Sequence, residues 1–156
     1  IEHFECGGWI ENANSLNIQH CRFRNNYADG MNLSYGSKNS VVEHCSFRNN
    51  GDDDMASWSR STGLCENNVY QYCISENNWR ASGLGFFGGK QNKAHHIVIS
   101  DAMEAGFRIT CDFRVCHLVT RDTVNFTISR YIKVVSPAEQ WALEEICGEI
   151  SRVHCI

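Results

Sequence analysis

The stretch Cys21-Arg22-Phe23-Arg24-Asn25-Asn26-Tyr27-Ala28-Asp29-Gly30-Met31-Asn32 returns 24 residues later as Cys45-Ser46-Phe47-Arg48-Asn49-Asn50-Gly51-Asp52-Asp53-Asp54-Met55-Ala56. Self-similarity at a period of about 20 to 50 residues marks a stack of like units, each too small to bury its own apolar face. With Gly30 as reference, its counterparts are Asp54, Gly83 and Gly106, at steps of 24, 29 and 23 residues. The surplus of the long step falls in residues 57–66, where Ser59-Arg60-Ser61-Thr62-Gly63 reads as a surface loop.

Inside each unit the apolar residues alternate in short bursts: Leu16 and Ile18, Cys21 and Phe23, Met31 and Leu33. A period of two means strand. Asn25-Asn26, Asn49-Asn50 and Asn77-Asn78 mark one corner three times, asparagine being tolerant of the left-handed conformations that corners need. A fixed period with the same strand order pairs every strand with its own copy, in parallel. The predicted fold is therefore all-β, a parallel β-helix with rungs of about 23–29 residues.

The whole chain, 1–156, reads as one solenoid of about six rungs with no internal linker. Towards its end Val124, Phe126 and Ile128 alternate as a strand, whereas Ser136-Pro137-Ala138-Glu139 carries a helix-start signature. Alternation through Ile146, Ile150 and Val153 favours two further rungs over that helix. The strand pattern runs to Ile156 and no cap is visible at Ile1, so we expect a segment of a longer solenoid.

Composition bounds the function. A net charge of −4 and a pI near 6.0 supply no basic field for nucleic acid. No apolar run approaches the roughly 20 residues of a membrane span. The nine cysteines are odd in number, and Cys21, Cys45 and Cys73 recur at one place in the repeat, so they read as an inward column of small apolar residues rather than as staples. Cys111 with Cys116, or His95 with His96, lacks the two spaced ligand pairs of a zinc site. We expect no metal and no cofactor. A neutral, hydroxyl-rich ligand suits this surface, and the oligomeric state is open.

Strands one rung apart lie about 4.8 Å from each other, so Asp29 and Asp53, each one residue before the reference position, should stack at that spacing with Asp52 and Asp54 beside them. Carboxylates so crowded cannot all ionise, and a protonated acid can then coexist with charged neighbours. Glycoside hydrolysis needs that combination, one group protonating the leaving oxygen and another activating water. Two other readings stay open: a solvated aspartate corner, and a calcium site. If Met31, Met55, Leu84 and Phe107 face the core, alternation turns Asn32, Ala56, Gly85 and Arg108 outward, followed by Ser34, Trp58, Phe87 and Thr110. Asn32, Trp58, Arg80, Phe87 and Arg108 are the substrate-binding candidates, the two aromatic rings being suited to the apolar faces of sugars.

Three strings, YADGMNL at 27–33, VVEHCSFRNNGDDDMASWS at 41–59 and RASGLGFFGG at 80–89, resemble the mycodextranase and α-1,3-glucanase family of glycoside hydrolases, relatives of dextranases and polygalacturonases. The resemblance covers residues 15–113. It implies a right-handed β-helix and single-displacement, inverting cleavage of α-glucan, α-1,3 or mixed α-1,3/1,4. Carried over by position, it makes Asp52 the acid, with Asp29 and Asp53 holding and deprotonating the water. The family's acidic motif tends to close on glycine where this chain has Asp54, an added charge expected to raise neighbouring pKa values or perturb the corner. A polymeric α-glucan substrate implies an extracellular place of work. Asn32-Leu33-Ser34 and Asn125-Phe126-Thr127 match glycosylation sequons. The competing expectation is a non-catalytic β-helix that binds polysaccharide or serves as a structural solenoid, with or without calcium.

Overall fold

The computed structural model describes residues 1–110 and two short strands at 127–128 and 132–135. One rung shows the plan. β5 (Val41–Glu43) and β6 (Ser46–Arg48) form two sides and β7 (Met55–Trp58) the third. The rung before it repeats this as β2 (Asn17–Gln19), β3 (Arg22–Arg24) and β4 (Met31–Ser34). In the rung after it, β8 (Val69–Glu76) runs through both of the first two positions, pairing with β5 by its start and β6 by its end, and β9 (Ser82–Phe87) follows. β10 (Lys93–Ser100) and β11 (Ala105–Thr110) continue the stack.

All these strands pair in parallel, in a five-stranded sheet that opens on β1 (Trp9–Glu11) and is ordered β1-β4-β7-β9-β11, and in an eight-stranded second sheet. Met31 lies opposite Met55, Met55 opposite Leu84, and Leu84 opposite Phe107. The alignment of Gly30, Asp54, Gly83 and Gly106 therefore holds residue by residue. Together the strands make about four stacked turns of a β-solenoid, and no helix occurs among the described residues. One turn was not visible in the repeat: β1 (Trp9–Glu11) pairs with β4, placing Trp9 opposite Asn32. Only the glycine of Gly7 echoes Gly30, and one glycine is too little signal to extend a repeat.

Columns of like side chains fill the interior. Phe23 and Phe47 stack at 4.9 Å with rings 4° from parallel. Met31, Met55 and Leu84 form a second, fully buried column, and Val42, Tyr70 and Ala94 a third. Burying them all removes apolar area from water at about 25 cal/mol per Å2, the main force holding rung to rung. Cys45 and Cys73 are buried, Cys21 is half-buried, and each thiol donates to the carbonyl two residues upstream at 3.2 Å. All five described cysteines are free, as expected of a column rather than staples.

Corners repeat as strictly. His20, His44, Tyr72 and His96 have φ of 52–54°, and Asn25, Asn49, Asn77 and Asp101 have 54–56°. At the second corner a buried amide ladder replaces strand pairing. Asn50 Oδ1 accepts from the Asn26 backbone N–H at 3.1 Å and from Asn26 Nδ2 at 2.8 Å, while Asn50 Nδ2 donates to the Phe23 carbonyl at 3.2 Å. Backbone groups that the bend strips of ladder partners are thereby satisfied inside the protein.

β12 (Thr127–Ile128) and β13 (Ile132–Val135) both pair in parallel with β10. Val124, Phe126, the Ser136–Glu139 helix signature, the rungs through Ile146, Ile150 and Val153, Cys111, Cys116 and the Asn125 sequon lie outside the described residues.

Candidate active site

The acids sit on the bend that leads into the five-stranded sheet. Here each rung passes a backbone hydrogen bond to the next: Gly7 N–H to the Asp29 carbonyl and Gly30 N–H to the Asp53 carbonyl, both at 3.0 Å. Read through that register, the column runs Cys6, Asp29, Asp53, Ser82, Ala105, so the two aspartates are adjacent and bounded by uncharged residues. Carboxylate oxygens of Asp29, Asp52 and Asp53 lie within 4.8 Å of one another. Asp29 and Asp53 stand one rung apart, as the period predicts.

Each acid is held differently. Asp29 is buried and accepts from Asn32 Nδ2 at 2.7 Å; burial above all, with the charge of Asp52 adding to it, raises its pKa to about 6 against the pull of that amide. Asp53 is buried and accepts from the Ser82 N–H at 2.9 Å; burial, then the charges of Asp29 and Asp52, push its pKa up to about 8. Asp52 is the open member. Its Oδ2 meets Arg80 Nη2 at 3.0 Å and its Oδ1 accepts from the Asp53 N–H at 3.1 Å. Asn78 Nδ2 donates to the backbone carbonyls of both Asp52 and Arg80, at 3.3 and 2.6 Å, and so fixes the two ends of that ion pair. At neutral pH the cluster retains a proton, most firmly on Asp53.

Asp54 does not join them. Its side chain turns into the core, fully buried, where Asn50 Nδ2 donates to Oδ1 at 2.7 Å and Ser75 Oγ to Oδ2 at 2.5 Å. Burial raises its pKa to about 7. At this corner Asp54 binds the amide ladder instead of leaving the space a glycine would.

The two columns line up in register as alternation predicts, Asn32-Ala56-Gly85-Arg108 and Ser34-Trp58-Phe87-Thr110, with Asn32, Ala56, Gly85 and Ser34 buried. Asn32 and Arg80 touch the acids directly. Phe87 leans over Gly85, where a Cβ would lie 2.5 Å from its ring and 3.3 Å from Asp53 Oδ2. Glycine at 85 is thus what lets an aromatic ring approach the acid. Trp58 lies further along the strand, edge-on to Trp9 at 5.7 Å and under Arg60 at 4.6 Å. Arg108 is two rungs away from Ala56 and pairs with Glu104 at 2.8 Å.

Several neighbours escaped the sequence reading. Trp9 belongs to the unrecognised first turn. Cys6 precedes Asp29 in the acid column, and burial, then the Asp29 charge, push its thiol up to about 11. Tyr27 and Trp79 flank the acids at the corner, edge to face at 6.1 Å. Their signal was available, since both fall at the corner position of Gly51, but a single exposed aromatic carries little meaning. Among the described residues Asp29, Asp52 and Asp53 are the one group able to converge on a metal ion. Within that group Asp52 is already paired with the Arg80 guanidinium.

Residues 1–114 match the family described as alpha-1,3-glucanase catalytic domain D2. Among solved structures, the chain is similar to the catalytic domain of Agl-KA, at 38% identity over 85% of this chain and 25% of that one, with a TM-score of 0.77. It is also similar to the catalytic domain of a GH87 alpha-1,3-glucanase in complex with nigerose, at 26% identity over 85% of this chain and 24% of that one, TM-score 0.73. The chain spans about a quarter of the length of these structures. A search of curated proteins finds no match.

Proposed function

The chain belongs to the alpha-1,3-glucanase catalytic domain family, and on that premise we propose that it carries the acid/base centre of a glycoside hydrolase that cleaves α-glucan, with α-1,3 linkages as the first substrate. The observation that carries this is the convergence of carboxylate oxygens of Asp29, Asp52 and Asp53 within 4.8 Å, with Asp52 half-exposed. Two carboxylate oxygens up to about 5.4 Å apart can share one water, each at a hydrogen-bond length near 2.7 Å. Buried Asp29 and Asp53 are suited to holding that water. Asp52, the most exposed of the three, is suited to meeting the glycosidic oxygen, in keeping with the acid role that the resemblance assigns it.

Cleavage would proceed by a single displacement: the water attacks the anomeric carbon as the bond to the leaving oxygen breaks. One carboxyl gives its proton to that oxygen and a carboxylate takes one from the water, so the cluster ends with the same number of protons. In the free chain the proton rests most firmly on Asp53. On this reading it must reach Asp52 once substrate covers the site and competes for Arg80. The carboxylate spacing is shorter than the roughly 6.5–9.5 Å of two-carboxylate inverting sites, so inversion rests on the family and on the water being shared by three acids. Asn32, Arg80 and Phe87 are placed to hold the sugar at the bond being broken, Trp58 and Arg108 further out. A polymeric substrate puts the place of work outside the cell.

The test is release of reducing ends from α-1,3-glucan and from mixed α-1,3/1,4-glucan by the full-length protein and its Asp52→Asn variant. We expect a fall of at least 100-fold for the variant, and NMR of the first product should show the inverted anomer. Equal activity of the two proteins would sink the assignment. Binding without any cleavage would favour a polysaccharide-binding solenoid, and a melting temperature lowered by chelator would favour a calcium-stabilised one.

A further inference from the structure

On the other side of the acidic bend from the sheet face, a groove of about 460 Å3 opens between His3, Phe4, Asn25, Tyr27, Asn49 and Trp79. Its walls are aromatic and unusually bare: Phe4 and Tyr27 are each 60% exposed and Trp79 49%. Three large rings left in water on neighbouring turns form a patch of the kind that marks a binding surface. Its polar lining is amide and imidazole, with Asn49 Nδ2 donating to Asn25 Oδ1 at 3.1 Å.

The corner register explains how the groove is built. Tyr27, Gly51 and Trp79 occupy one position on three successive rungs, the Gly51 N–H bonding the Asn26 carbonyl and the Trp79 N–H the Asn50 carbonyl. Side chains two rungs apart would stand about 9.6 Å from each other. The missing side chain at Gly51 lets the indole fold down instead, to 6.1 Å from the Tyr27 ring; a Cβ at 51 would lie 2.3 Å from Trp79. The groove is coupled to the acids by covalent neighbours and by charge. Gly51 precedes Asp52, Tyr27 stands two residues before Asp29, and Arg80 lies over the Trp79 ring at 5.7 Å while its guanidinium bonds Asp52.

We propose that this groove is a distal subsite for the α-glucan, in which a glucosyl unit beyond the bond being broken packs its apolar face on Tyr27 and Phe4 and offers its hydroxyls to Asn25 and Asn49. This rests on the glucan-hydrolase reading of the acidic cluster. Aromatic faces beside amide donors and acceptors match a ring with one apolar face and equatorial hydroxyls, and the lack of lysine and arginine among the described lining residues fits a neutral sugar better than an anion. Continuity with the Asp52–Arg80 pair makes the occupant a further unit of the chain being cleaved.

Tyr27 is the residue to vary, because it bonds neither the acids nor Arg80. Steady-state kinetics of the full-length protein on α-1,3-linked oligosaccharides of increasing length should show Tyr27→Ala raising KM about tenfold for the longer substrates. The kcat, and the KM for the shortest substrate cleaved, should stay as they are, and Tyr27→Phe should restore the longer substrates. An equal KM rise at every length, or none, overturns the subsite. A lower melting temperature with KM unchanged at all lengths assigns the groove to packing against another part of the protein, and overturns it too. Should the protein cleave nothing, calorimetric titration with an α-1,3-linked tetrasaccharide still decides. Binding lost in Tyr27→Ala and regained in Tyr27→Phe keeps the groove while the hydrolase reading fails, and binding indifferent to Tyr27 removes both.

Discussion

Three consecutive aspartates, Asp52, Asp53 and Asp54, have three different physical fates. The first is paired with a cation at the surface, the second is buried among acids, and the third is buried among amide and hydroxyl donors. For Asp54 the folded pKa, about 7, stands above the unfolded value near 3.8. The folded state then binds the proton more tightly, so this residue's contribution to stability is fully present below about pH 4 and is lost as pH rises through about 7. Asparagine keeps the geometry, its carbonyl accepting from Asn50 and its amide donating to Ser75 Oγ. Asp54→Asn should therefore match the parent's melting temperature near pH 4 and exceed it by a few degrees at pH 8, as scanning calorimetry can read. A constant difference across that range would refute the assignment.

Among the elements, the corners rather than the strands carry the specificity of the stack. Asn50 accepts two hydrogen bonds and donates two in full burial. Asn50→Ala would leave those groups unpaired, a loss on the order of 3 kcal/mol, visible as a lower urea midpoint with the slope unchanged. Asn49 shares the corner but faces outward with φ of 56°. There the backbone conformation is what matters, so Asn49→Gly should change stability by less than about 0.5 kcal/mol and Asn49→Val should lose about 1–2 kcal/mol. Urea unfolding that ranks valine equal to glycine would rule out a conformational role. The corners were legible because asparagine is one of few residues that tolerate the left-handed region, so the fold's constraint is written in residue type. The turn that holds β1 was not, since its left-handed corner residue is His3, with φ of 63°, where the next three rungs have asparagine.

Across the whole molecule the acids act as one titrating unit, with apparent values belonging to the cluster. Activity that needs one proton among Asp29 and Asp53 should give a bell-shaped kcat/KM profile in the full-length protein, with limbs near 6 and 8 and an optimum between them. A profile flat from pH 5 to 9 would contradict the shared proton. The sequence by itself determined the solenoid, its register and the stacking of Asp29 on Asp53, because a parallel stack converts chain distance directly into spatial distance. It also carried the columns that Asn32 shares with Arg108 and Trp58 with Phe87, since alternation within a strand is local. Only the tertiary structure decided which way Asp54 turns, that Arg80 and Asn78 reach Asp52, and that Tyr27 and Trp79 meet across Gly51. Those outcomes arise at bends, where alternation lapses and a side chain's direction is set by the space and partners that neighbouring rungs leave it.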